Sequence, residues 1–176
     1  MFVATLLLHQ IGDLAESSKM DRPVDKLLSA ITLSNDVCLH FVDVENIAGS
    51  GLLTVEGVER LCKNYVAQSH AKSCDLFFVA AGPQNAMAVR EGWKAGQTFY
   101  QFRKGKDGAD LALVNFYQNI EHVEKYKGIF VASGDHSLEP IAEGSTRRGV
   151  PVTVVTGKGG LSRVFSGYAH LAVRGF

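Results

Sequence analysis

From residue 37 onward, short apolar runs alternate with segments of helical period, and this alternation commits the chain to crossover units on a mainly parallel sheet. Strands are expected at 37–42, 76–80, 98–102, 129–132 and 150–155, five in all. Helices are expected between and after them. Thr54 is placed to cap one in which Val55, Val58, Cys62, Tyr65 and Val66 recur at helical intervals. Others follow at 85–95, 110–125, 138–148 and 161–168, with Gly82-Pro83 and Gly96 as breaks. The expected fold class is α/β, a three-layer α/β/α sandwich around a five-stranded sheet.

Residues 1–35 follow a different pattern. Two helices are expected at 3–16 and 24–32, split by Met20-Asp21-Arg22-Pro23, so that a helical extension precedes a domain over 36–176. Such an arm either packs over an edge of the sheet or serves a partner, a homodimer included, and the sequence does not decide between these.

Composition narrows the class. The 176 residues are 46% hydrophobic and 20% charged, which excludes disorder and a disulfide-held miniprotein. Cys38, Cys62 and Cys74 lie far apart without zinc-binding spacing, which suits reduced thiols in the cytoplasm. No run approaches the roughly 20 apolar residues of a membrane span, so no membrane association is expected.

In an open parallel sheet ligands bind outside the carboxyl ends of the strands, so acidic residues there carry information. Asp43 directly follows the first strand in FVDVEN, with Glu45 and Asn46 on the turn behind it. Asp135 follows the fourth strand in VASGDHSLEP, and Asp110 opens the helix that leads into that strand, in KGKDGADLALV. Carboxylates sharing a crevice repel each other unless a cation compensates, and hard oxygen ligands favour Mg²⁺ or Mn²⁺. Asp107 is a further candidate, although its position suits a helix cap better. Glu45 alternates with Asp43 and is open to either side of the strand end. His136 stands beside Asp135, within reach of a phosphate at such a site.

These blocks resemble the NYN domains, a branch of the PIN-like metal-dependent ribonucleases. FVDVEN, KGKDGADLALV, the SGDxxxxP turn and helix ending in RRGVPV, and the closing GVPVTVVTGKGGLS carry the likeness, which runs from residue 36 to the C-terminus. The resemblance implies a parallel α/β/α sandwich in which Asp43, Asp110 and Asp135 bind Mg²⁺ or Mn²⁺ and Asn46 orients substrate or water. It implies an endoribonuclease that hydrolyses phosphodiesters with a metal-activated water. One position departs from the family, which commonly has a second Asp where this chain has Ser137. Either a second cation is held poorly or Glu139, one helical turn from Asp135, reaches in. A domain that has lost catalysis and only binds RNA is the alternative.

Net charge is zero, so RNA must be held locally. Residues 90–106 carry five basic side chains against Glu91, among them Arg103, Lys104 and Lys106. Residues 141–176 carry five against Glu143, and Lys158 lies there in a Gly-Lys-Gly-Gly loop whose N–H groups are expected to meet phosphate. Trp93, Tyr100 and Phe102 are candidates for stacking on unpaired bases, with core packing the stronger expectation. The loop lacks P-loop spacing, no Gly-x-Gly-x-x-Gly follows the first strand, and the third strand ends without an acceptor Asp. ATP, dinucleotide and phospho-acceptor functions are thereby disfavoured.

Overall fold

A computed structural model describes residues 36–158 and 160–173, so the helices expected within 1–35 lie outside the described residues. The elements run β1 (Cys38–Asp43), α1 (Val44–Ala48), α2 (Val55–Ser69), β2 (Leu76–Ala81), α3 (Ala86–Gly92) and β3 (Gln97–Phe102). They continue as α4 (Gly108–Gln118), β4 (Gly128–Ala132), α5 (Glu139–Arg147), β5 (Val152–Thr156) and β6 (Ala169–Ala172). Short 3₁₀ turns fill several junctions.

All six strands are parallel, in the order β3-β2-β1-β4-β5-β6. β1 and β2 are central, and apart from Cys38 every residue in them is buried, which is why they read as continuous apolar runs rather than alternating ones. Helices cover both faces. On one side α2 and α3 bury Val58, Leu61, Tyr65 and Val89 against Val42, Phe77 and Val79. On the other, Phe116 and Tyr117 of α4 meet the aromatic row Phe41, Phe78 and Phe99, and α5 packs on β4 and β5. Each fully buried Leu, Ile or Phe in these layers stabilises the fold by about 1.5–3 kcal/mol relative to an exposed one.

His40 is the polar exception in the middle of β1. Its ring lies between those of Phe77 and Phe130, with centroids 4.4 and 4.5 Å away. Nδ1 is 2.9 Å from the Tyr65 hydroxyl, and Nε2 is 3.5 Å from Asp75 Oδ2. His40 is thus a packing residue of the core.

The strand count corrects the expectation of five. Residues 161–168 form no helix but a single 3₁₀ turn, Arg163–Phe165, before the added strand β6. Ser166-Gly167 stops any helix, and Leu171 and Val173 carry a period of two that is too brief to stand out. α4 also ends at Gln118 rather than near 125, because Asn119 turns its side-chain amide back onto the Asn115 carbonyl at 2.9 Å. Trp93, wholly buried, leaves helical geometry and shortens α3.

Among the described residues no helix is long and apolar enough to cross a membrane.

Candidate carboxylate site

β1 has β2 on one side and β4 on the other, so the chain reverses its direction of sheet growth there and opens a crevice at the carboxyl ends. Asp43 ends β1 and caps α1, its Oδ1 accepting the Asn46 N–H at 3.1 Å. Asp110 reaches the same place from the first turn of α4. Both are only 7% exposed.

These two carboxyls are near enough to act on each other's ionisation. Burial pushes Asp43 up to about 7, with the charges of Asp110 and Glu45 adding to it and the Asn46 N–H opposing it. Burial also lifts Asp110 to about 6, helped by the charges of Asp135 and Asp107. Two neighbouring buried carboxyls are relieved either by a proton or by a cation. Asp110 Oδ1 is moreover buried without a hydrogen-bond partner among the described residues. That orphaned acceptor in an anionic pair fits a hard divalent cation.

Asp135 stands on the turn after β4, outside the cleft lining but near enough for its charge to act on Asp110. Asn46 Oδ1 accepts the Gly134 N–H at 2.9 Å, so Asn46 ties the β1 and β4 turns together rather than pointing its oxygen at a substrate. A Cβ on Gly134 would lie 1.8 Å from the Gly160 carbonyl oxygen, so only glycine permits this approach. Asp135 Oδ1 accepts the Ser137 N–H at 2.9 Å and sits 3.1 Å from His136 Nδ1. The Ser137 N–H holds its carboxyl below the usual range against the pull of burial, with the Ser137 hydroxyl, His136 and Lys106 adding to the effect. Ser137 thus serves Asp135 as a donor. Glu139 begins α5, half-buried, and does not line the cleft.

The cleft itself has a volume of about 440 Å³. Asp43, Glu45, Asp107 and Asp110 line it together with Arg103 and Lys104. Asp107 occupies the cap position of α4 but makes no side-chain cap bond, which corrects the cap reading, and its left-handed backbone (φ 59°) turns the chain into the helix. Glu45 settles on the cleft side. Its Oε1 accepts from Gly82 N–H at 3.2 Å, from Gln84 Nε2 at 3.0 Å and from Asn85 Nδ2. Asn85 and Gln84 escaped the sequence reading, although a Gly-Pro turn directly after a buried strand marks the same edge of the sheet.

The basic residues divide. Arg103 and Lys104 are exposed on the cleft wall, and Lys106 is near enough to act on Asp135. Lys158 stands apart from the cleft lining. Its N–H donates to the Ile47 carbonyl at 3.2 Å, and a Cβ on Gly157 would fall 1.8 Å from that oxygen. The Lys158 amide therefore braces α1 and is not free to meet phosphate, whereas Gly159 lies outside the described residues. Trp93 is core, and Tyr100 donates its hydroxyl to the Trp93 carbonyl at 2.5 Å.

Among the described residues, no three His, Cys, Asp or Glu side chains are placed to enclose a metal ion as they stand. The buried pair Asp43 and Asp110 is the nucleus of any such site, with Asp135 turned towards its own loop. Compared with known family models, curated proteins and solved structures, the chain matches none of them.

Proposed function

We propose that the protein is a metal-dependent endoribonuclease of the NYN kind, with a three-layer PIN-like domain and a single carboxylate centre at the switch point. The observation that carries this reading is the orphaned Asp110 Oδ1 close to Asp43, two buried carboxyls that form no ion pair with Lys or Arg among the described residues. Asp43 and Asp110 would hold Mg²⁺ or Mn²⁺, with Asp135 joining by a turn of its side chain. Such a cation lowers the pKa of a water and offsets charge on a phosphodiester. Asn46 keeps the two turns that carry Asp43 and Asp135 in register. Arg103 and Lys104 offer the RNA backbone positive charge from the cleft wall, and Lys106 extends it towards Asp135.

The test is cleavage of RNA with Mg²⁺ or Mn²⁺ against a chelator, in wild type and in Asp43→Asn with its fold checked by circular dichroism. Cleavage that needs the ion and vanishes in the folded variant supports the reading. Undiminished cleavage by the variant ends it.

One observation favours a second reading. Asp135 Oδ1 is already engaged by Ser137 and His136, so the third ligand is committed elsewhere. On that reading the domain binds RNA without cutting it, and calorimetry would find no divalent-ion binding at millimolar concentration.

A further inference from the structure

Asp43, Glu45, Asp107 and Asp110 are the carboxylates of the cleft lining, and Asp135 stands outside it. Asp110 is only 7% exposed, and its orphaned Oδ1 calls for a partner that the described residues do not supply. The two remaining carboxylates of the lining are held very differently. Asp107 is exposed and makes no side-chain cap bond. Glu45 is half-buried, and its charge acts on Asp43. Its Oε1 accepts from the Gly82 N–H at 3.2 Å, from Gln84 Nε2 at 3.0 Å and from Asn85 Nδ2, and none of these three bonds goes to Oε2. Asn85 is itself fixed. It is 1% exposed, its Nδ2 also donates to the Gly51 carbonyl at 3.0 Å, and its Oδ1 accepts the Leu53 N–H at 2.9 Å. All three donors lie directly after β2, whose Ala80 is the sheet partner of Asp43.

We propose that Glu45, oriented by Asn85, is a standing carboxylate of the divalent-ion site beside Asp43 and Asp110, ahead of Asp135, which has to turn to join them. The inference rests on the divalent-ion reading of the cleft and extends its ligand set. Carboxylates that serve a metal are themselves hydrogen-bonded by neighbours that fix their direction, and Glu45 has three such donors on one oxygen. Asp135 is bonded instead within its own loop, to the Ser137 N–H and His136 Nδ1. Mg²⁺ keeps several waters and binds directly through one or two carboxylates, so Glu45 need not close on the ion to serve it. Asn85 is then a positioning residue, which touches Glu45 and not the ion.

The experiment titrates the full chain with Mn²⁺ and reads the free ion by electron paramagnetic resonance. Glu45→Gln keeps an oxygen for the three donors and removes the charge. With its fold checked by circular dichroism, it should weaken Mn²⁺ about tenfold or more. Asp107→Asn, on the same lining, controls for charge acting through space. Its smaller effect should fade in about 1 M KCl, where the Debye length is roughly 3 Å, whereas that of Glu45→Gln should persist. Asn85→Ser should also weaken Mn²⁺, and should cost nothing further once Glu45 is Gln, which a general loosening of the fold would not produce. Unaltered Mn²⁺ affinity in Glu45→Gln overturns the proposal, as does a greater loss in Asp135→Asn or an effect of Glu45→Gln that salt abolishes. Each of these results, with Mn²⁺ bound by the wild type, leaves the divalent-ion reading standing. A wild type that binds no Mn²⁺ at millimolar concentration overturns both.

Discussion

Asn46 and Gly134, 88 residues apart, are joined by a hydrogen bond of 2.9 Å from the Gly134 N–H to the Asn46 side-chain oxygen. This bond fixes the spacing between the ends of β1 and β4, and hence between Asp43 and Asp135. Asn46→Ala leaves the buried Gly134 N–H without a partner and should cost about 1–3 kcal/mol. Urea denaturation of the variant and the wild type reads that loss.

Two glycines govern how closely the loop after β5 approaches the site. Gly134→Ala and Gly157→Ala each drive a Cβ into a carbonyl oxygen 1.8 Å away, and each should destabilise by about 1–3 kcal/mol or more. Gly160→Ala meets nothing within 4 Å and should stay within about 0.5 kcal/mol of wild type. Thermal melts of the three variants read the difference.

Arg103 and Lys104 are assigned to the nucleic-acid backbone by their place on the cleft wall. Replacing either by Ala should weaken RNA binding and reduce the slope of log affinity against log salt by about 1. Lys158→Ala, away from the cleft lining, should leave that slope unchanged.

His40 predicts how stability responds to acid. Burial holds its imidazole pKa below the ordinary value, with Asp75 opposing. A depressed folded-state pKa means that its stabilising contribution is present above the unfolded value of about 6.5 and is lost as pH falls. The His40 contribution should therefore fall between pH 7 and pH 5, against the gain from protonation of Asp43 and Asp110 over the same range, so the stability difference between wild type and His40→Gln in denaturant should shrink as pH falls. A histidine titration by NMR that places His40 above 6.5 contradicts it.

Much of the architecture is legible because parallel strands buried on both faces leave plain signals. The runs at 37–42 and 76–80 became β1 and β2 almost unchanged, and the rule that ligands gather at carboxyl ends led directly to Asp43 and Asp110. β6 escaped because four residues at a sheet edge carry too little alternation to compete with the glycine-rich stretch before them. Glu45 and Asn85 were ambiguous or missed for a different reason. Their bond spans 40 residues and depends on how two turns meet, which no local pattern encodes. Ser137 shows the same limit. A serine two residues after Asp135 is visible in the sequence, but its service as a donor to Asp135 is visible only in three dimensions.

Anomalous diffraction from crystals soaked in millimolar Mn²⁺ tests the central claim most directly, since Asp43 and Asp110 stand or fall together as ligands. The account predicts a peak bonded to a carboxylate oxygen of each, at roughly 2.0–2.6 Å. No peak between them would contradict it.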